Sequence, residues 1–294
     1  MNDNTHLNRL PLYTWLGLAI LIGGEILLML NQMTVITWFT PLMWTGYILA
    51  MDGWLRKRTG SSWLTDHLKE FPFLILVSVG IWVLFEAYNI HLRNWFYLGV
   101  PSSSYLQFLA YFWSFATIIP GVFITSQIIA SIFRLESDNL KQLPDLGPHS
   151  LWFLIGLAMV TIPLAVPGSI ARYLFGSVWI GFILLVDPIN ELLGAPSFRR
   201  MLSDGDRSKI IALLVGGFIC GLLWEAWNYQ AFLQDGGHWI YTVPNALRIF
   251  GLHYGQMPIL GMLGFPPFAL ELYAMYHFLR RMIEGETYIG PVYW

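Results

Sequence analysis

The sequence is short of charge and almost without cysteine. Asp, Glu, Lys and Arg make up 12% of its 294 residues, against about 25% in a soluble domain. A chain so poor in charge cannot cover a water-facing surface with polar groups. Hydrophobic residues reach 56% and mean hydropathy is +0.56, so lipid must form part of the solvent. The single cysteine, Cys220, lies in an apolar run. It excludes an intrachain disulfide and a cysteine-based metal cluster, and it reads as a small buried hydrophobe. A net charge of −2 offers no positive field to nucleic acid. There is also no phosphate-binding glycine loop, no Gly-x-Ser-x-Gly elbow, no facing pair of haem histidines and no retinal-type lysine within an apolar run. No cofactor is expected.

Apolar length is what the chain has in excess. Eight stretches approach the roughly 20 residues needed to span a bilayer, at about 12–31, 33–53, 71–90, 105–133, 151–167, 171–188, 209–229 and 255–279. The first carries Glu25 and is followed by no small-residue cleavage site, so it reads as a span and not a signal peptide. With the N-terminus inside, 13 of the 16 basic residues fall in cytoplasmic segments, and Arg93, Arg172 and Arg248 fall outside. That asymmetry follows the positive-inside rule and places both termini in the cytoplasm of a multi-pass protein of the inner, or plasma, membrane. Trp (14), Tyr (14) and Phe (20) are abundant. Many lie near the ends of the apolar runs, where a half-wet ring is stable.

The chain also repeats itself. Trp44-Thr-Gly46 ending at Asp52 matches Trp179-Ile-Gly181 ending at Asp187. Phe85-Glu86-Ala87-Tyr88-Asn89 matches Trp224-Glu225-Ala226-Trp227-Asn228. Trp95-Phe-Tyr97 before Pro101 matches Trp239-Ile-Tyr241 before Pro244. Three ordered matches predict an all-α integral membrane protein of eight transmembrane helices, arranged as two tandem four-helix units over 1–140 and 141–294. An even number of spans gives both units the same orientation. A polar linker is expected near 134–149.

Ionisable groups within apolar spans are costly and ask for a reason. Glu25, Glu86, Glu225 and Glu271 are such groups. Glu and Asn at i and i+3 share a helix face, so Glu86 with Asn89, and Glu225 with Asn228, form two matched sets. If the units pack about their pseudo-axis, the two glutamates approach and one tends to hold a proton. Lined by Phe85, Tyr88, Trp224 and Trp227, it would be a proton donor to an apolar substrate, with aromatic faces able to stabilise a cation. The same motif serves equally as interhelical hydrogen-bonded glue. Pro266-Pro267 are expected to break the last span, with Glu271 one turn beyond. The corresponding stretch at Pro120 has Thr125 near the acid position. Asp52 and Asp187 read as structural, with Asp187-Pro188 marking a boundary where the helix stops or bends. The aromatic loop 230–254, with His238, Trp239, Tyr241 and His253, reads as a lid on the outer interface. A metal site from Glu86, His91, Glu225 and His238 has suitable ligand types but lacks His-x-x-His spacing, so none is expected.

Trp239-Ile-Tyr241 ahead of Pro267-Phe-Ala-Leu-Glu271 resembles an arrangement in the two-part membrane lycopene cyclases of bacteria and fungi. Those enzymes are built from two related, similarly oriented units. The likeness covers about a quarter of the chain. That family's adjacent acid pair is absent, since Glu271 stands alone. The resemblance implies a carotenoid-cyclase-like enzyme of the lyase or isomerase kind. The leading expectation is therefore a membrane enzyme acting on a hydrophobic lipid, of isoprenoid type, by cyclisation, hydration or isomerisation. Glu225 and Glu271 would be acid and base, Asn228 would orient Glu225, and Trp224, Trp227, Trp239, Tyr241, His238 and Pro267 would line the cavity. A proton-coupled transporter using Glu86 and Glu225, and a non-catalytic membrane subunit, stay open, as does homo-oligomerisation.

Overall fold

Backbone groups surrounded by apolar solvent must pair within their own segment, so a chain of this composition folds as helix. The computed structural model describes residues 10–133 and 146–285 and is 77% helical. In chain order the helices are α1 (Leu12–Met29), α2 (Met33–Thr37), α3 (Phe39–Thr59), α4 (Trp63–Asp66), α5 (Phe71–Leu92), α6 (Ser104–Ala116), α7 (Ile118–Phe133), α8 (His149–Ala165), α9 (Gly168–Ala171), α10 (Phe175–Leu192), α11 (Phe198–Asp204), α12 (Ser208–Leu233), α13 (Ile259–Met262) and α14 (Phe265–Glu284). Two short 3₁₀ turns (Asn245–Leu247 and Ile249–Gly251) and four short strands are also described: β1 (Trp95–Leu98), β2 (His238–Tyr241), β3 (His253–Tyr254) and β4 (Met257–Pro258).

Six helical stretches are long and apolar enough to cross a membrane: α1, α5, α6 with α7, α10, α12, and α13 with α14. The other two expected spans fall short for separate reasons. Helix α3 ends in Arg56, Lys57 and Arg58, and α8 has 17 residues. Of the expected linker, residues 134–145 lie outside those described, and so does the boundary at 140/141.

Glycine sets the closest helix crossings. A Cβ on Gly17 of α1 would run into the α3 backbone at Gly46 and Ala50. In the second half, a Cβ on Gly156 of α8 would meet the α10 backbone at Leu184 and Leu185, and one on Gly181 would meet Met159. Small residues thus let α1 lie against α3, and α8 against α10. The centre is formed by α5, α7, α12 and α14. Helix α7 packs on both α5 and α12, α14 likewise on both, and α3 and α10 flank α7 and α14 respectively. The indole of Trp44 fills the space a side chain at Gly121 would need, and that of Trp179 does the same at Gly264.

Asp52 and Asp187 anchor equivalent turns. Asp52 Oδ1 accepts from the backbone N–H groups of Trp63 (2.9 Å) and Leu64 (3.3 Å), and Asp187 from those of Phe198 (2.6 Å) and Arg199 (3.0 Å). Each carboxylate satisfies the orphan donors that open a short helix, which is the structural role expected of the pair.

Two proline readings are corrected. Of the two alternatives at Asp187-Pro188, a stop is excluded: helix α10 runs through Pro188 to Leu192. Pro266 and Pro267 occupy the first turn of α14, where no N–H is needed. The chain breaks just ahead of them, at Leu263–Gly264. The break in the 105–133 stretch comes at Thr117, where Ser78 of α5 donates to Phe115 O (2.5 Å) and accepts from Ile119 N–H (3.0 Å).

Candidate functional site

Glu86 and Glu225 stand near the ends of α5 and α12, and each helix is followed directly by one strand of an antiparallel ribbon. The register pairs Trp95 with Tyr241, Phe96 with Ile240, Tyr97 with Trp239 and Leu98 with His238. Alternation along a strand sends Trp95, Tyr97, Trp239 and Tyr241 to one face. All four line a single cavity.

Each half fastens its strand in the same way. Asn89 accepts from the backbone N–H groups of Asn94 (2.8 Å) and Trp95 (3.3 Å), and its amide donates to Trp95 O (2.9 Å). Asn228 accepts from Trp239 N–H (2.9 Å) and donates to Trp239 O (3.0 Å). In each half the asparagine positions the tryptophan whose indole donates to the glutamate, and the Asn228 side chain also bears directly on Glu225. Glu86 Oε1 accepts from Tyr97 Oη (2.6 Å), Trp95 Nε1 (2.9 Å) and Trp82 Nε1 (2.9 Å). Glu225 Oε1 accepts from Tyr241 Oη (2.6 Å) and Trp239 Nε1 (3.3 Å). Trp82 has no counterpart one turn before Glu225. Gly221 stands there and the Phe265 ring occupies its space. Withdrawal from bulk water, reinforced by the adjoining glutamate, pushes both tyrosine hydroxyls well above their usual range. Tyr97 and Tyr241 are therefore protonated donors at any ordinary pH.

The cavity measures about 90 Å³. Trp44, Trp82, Trp179, Trp224, Phe265 and Phe268 wall it from the helices, and Tyr111 and Phe115 close it from α6. The rings meet edge-on or tilted: Trp82 and Trp224 have centroids 5.4 Å apart, Trp224 and Trp239 5.6 Å, and Trp82 and Phe268 5.9 Å. Such packing presents ring faces and edges to whatever enters. Among the described residues, no Asp, Glu, Lys or Arg lines this cavity. A second, more open groove of about 360 Å³ shares Tyr97, Tyr111 and Phe115 and exposes Glu86.

Of the residues expected at the site, Trp224, Trp239, Tyr241 and His238 do line the cavity. Trp227 does not. Its ring packs behind the wall against Trp44 (5.1 Å) and Tyr47 (6.1 Å). Pro267 is also absent from the wall: Phe265 and Phe268, three apart on α14, share the face that lines it, and Pro267 falls off that face. Glu86 and Glu225 do not meet; each is held by the Trp-x-Tyr strand of its own half. Glu271 is wholly buried in α14, and neither carboxyl oxygen has a hydrogen-bond partner among the described residues. It lies three residues beyond Phe268, on the helix that supplies the wall. Counted from Gly121 and Gly264, Glu271 corresponds to Ile128, and Thr125 corresponds to Phe268. The lid loop is partly folded: it contributes β2, two short 3₁₀ turns and the β3–β4 hairpin. His253 is exposed there, with Nδ1 on Gly251 O (2.6 Å).

Sequence reasoning missed Trp82, Trp95, Tyr97, Trp44 and Trp179. The repeat carried the signal, since Trp95, Tyr97 and Trp44 are the first-half copies of motif residues. His91 bonds Val166 O (2.9 Å), and no three His, Cys, Asp or Glu side chains among the described residues gather as a metal site. No known protein family, curated protein or solved structure matches the chain.

Proposed function

We propose that the protein is a multi-pass membrane enzyme that draws an apolar lipid of isoprenoid type into the aromatic cavity and acts on it by acid–base chemistry. One observation carries this reading: two tyrosine hydroxyls on the cavity wall each hydrogen-bond, at 2.6 Å, to a glutamate set behind them. A carboxyl group reached through a tyrosine can exchange protons with an apolar ligand without itself facing it. Tyr241 backed by Glu225 is the principal pair, and Tyr97 backed by Glu86 its partner. Ring faces of Trp82, Trp224 and Trp239 would stabilise positive charge developing on an alkene. Glu271, one turn deeper on α14, is the reserve acid.

The same reading takes the chain as eight spans, adding α3 and α8 to the six, in two tandem units of like orientation in the inner, or plasma, membrane with cytoplasmic termini. The support is the recurrence of contacts between the halves: Asp52 with Asp187, Gly46 with Gly181, and Glu86–Asn89 with Glu225–Asn228.

The test is mass spectrometry of lipids from membranes carrying the wild type, Glu225→Gln and Tyr241→Phe. A species made by the wild type and lost in both variants identifies the product. Identical profiles with all three proteins folded would overturn the enzyme and direct attention to proton flux through a carrier.

A further inference from the structure

The second groove runs between α5 and α6. Val79, Val83 and Glu86 line it from α5, and Phe108, Tyr111 and Phe112 from α6. Val83, Phe108 and Phe112 are exposed, and both helices belong to stretches able to cross a membrane, so the groove opens toward lipid. The two oxygens of Glu86 have different surroundings. Three neutral donors, Tyr97 Oη, Trp95 Nε1 and Trp82 Nε1, converge on Oε1, which suits a carboxylate. Oε2 accepts no hydrogen bond from the described residues, and it is not buried. On Glu225 the corresponding oxygen, the one its tyrosine does not bond, is buried. The difference follows from loop length. In the second half the β3–β4 hairpin folds back on α12: a Cβ on Gly255 would lie 2.9 Å from Glu225 O, and the Gln256 backbone reaches the carboxyl group. In the first half residues 99–103 alone join β1 to α6, too few to fold over Glu86.

Glu86 also lacks a counter-ion. Glu70, Glu191 and Asp66 pair with Arg280, Arg199 and Arg56. Among the described residues no Lys, Arg or His pairs with Glu86, and no Lys or Arg lines the groove. A carboxylate at membrane depth without a cationic partner is costly. Attraction between opposite charges grows as the dielectric falls. An ammonium group in the groove would supply the missing charge and donate N–H to Oε2, with the rings of Phe108 and Tyr111 beside it. An alcohol would donate but leave the charge uncompensated, and an anionic end would be repelled. The groove runs about 10 Å along α5 from Glu86 to Val79, which sets the direction of the chain. We propose that this groove binds a lipid by a primary ammonium group, with Glu86 Oε2 as counter-ion and the hydrocarbon laid along Val83, Val79 and Phe108. Two sources carry such a group: a free long-chain amine and the headgroup of an aminophospholipid. The site goes beyond the proposed reaction, since Oε1 serves Tyr97 and Oε2 this ligand.

The test is tryptophan-fluorescence titration of the purified full-length protein in detergent, at neutral pH, with dodecylamine and dodecanol. Trp82 and Trp95, both bonded to Glu86, report occupancy. The amine is expected to bind about tenfold more tightly than the alcohol, as one charge-assisted hydrogen bond predicts. Glu86→Gln, which keeps an oxygen for Tyr97, should abolish that preference. Glu25→Gln, which removes another acid from an apolar helix, should leave it intact. Equal affinities in the wild type, a preference that survives Glu86→Gln, or one lost equally in Glu25→Gln overturns the proposal. If Glu86→Gln fails to fold, Val83→Phe decides. It narrows the groove with the carboxylate in place and should weaken both ligands; unchanged binding overturns the proposal. Phosphatidylethanolamine that displaces dodecylamine identifies the aminophospholipid as the source, and failure to displace it identifies the free amine. Amine preference without any lipid product would leave this site standing and sink the enzyme. A product without amine preference would do the reverse.

Discussion

Trp95 stands directly across the ribbon from Tyr241, whose hydroxyl reaches back 2.6 Å to Glu225 in its own half. The strands come from residues almost 150 positions apart, so the ribbon locks the two halves together at the same place where it forms the cavity wall. Backbone pairing fixes the rings, and the rings fix the carboxylates.

The two tyrosines are not equivalent. Removing the Tyr97 hydroxyl leaves Glu86 Oε1 with two indole donors, both at 2.9 Å. Removing that of Tyr241 leaves Glu225 Oε1 with one, at 3.3 Å. Tyr241→Phe should therefore cost about 1–3 kcal/mol, and Tyr97→Phe about 1 kcal/mol or less. Thermal unfolding in detergent checks this, and the opposite order would sink the proposed difference between the sites.

The asparagines should behave in parallel but unequally. Asn228 is completely buried, and Asn228→Ala orphans both the N–H and the C=O of Trp239. Asn89 is only half-buried, and water can take over its bonds after truncation. Asn228→Ala is expected to destabilise by roughly 2 kcal/mol or more, and Asn89→Ala by about half as much. Asn228→Asp should not rescue, because it turns a second acceptor toward Trp239 O. Melting curves of the three variants decide; rescue by aspartate would refute the donor role.

A pH effect follows from Asp66, the last residue of α4. Its partial burial pushes the carboxyl upward. Hydrogen bonds from Thr65, the Ser62 N–H, Arg56 and Ser61 outweigh that and hold it at about 2. An unfolded aspartate titrates near 4. Because the folded value is the lower one, the stabilisation is complete above about pH 4 and is lost as pH falls toward 2. The melting gap between wild type and Asp66→Asn should be constant at neutral pH and close between about 4 and 2. It should be modest, since the Arg56–Asp66 pair is about one-third exposed and screened by solvent. A gap that widens on acidification would contradict the assignment.

The motifs were legible in the sequence where the physics is local. Glu and Asn three apart on a helix, each with a Trp-x-Tyr downstream, announced both halves of the site. Their joining was not legible. Strands of four residues are too short to show an alternating pattern, and β1 and β2 find each other only once the helices place them side by side. Trp227 looked like a wall residue because it adjoins Glu225, yet its ring turns toward Trp44. Pro266 and Pro267 looked like a break because proline stops a helix entered from its N-terminal side. Here the helix begins with them, and the unpaired first turn tolerates both.

Glu271 gives the sharpest separation of stability from function. A fully buried carboxyl group without a hydrogen bond is costly, and nothing described in the fold offsets it. A methionine there has similar length and no polar atom. Glu271→Met should therefore raise the unfolding temperature, by an amount equivalent to about 1 kcal/mol or more. If the acid serves the proposed chemistry, the same substitution should abolish the lipid product, because residues kept at a cost to stability are concentrated where function requires them. Higher stability with the product retained would leave Glu271 without a part in the reaction. A lower melting temperature would mean that the carboxyl is held by the fold, and the reserve acid would have to be sought elsewhere.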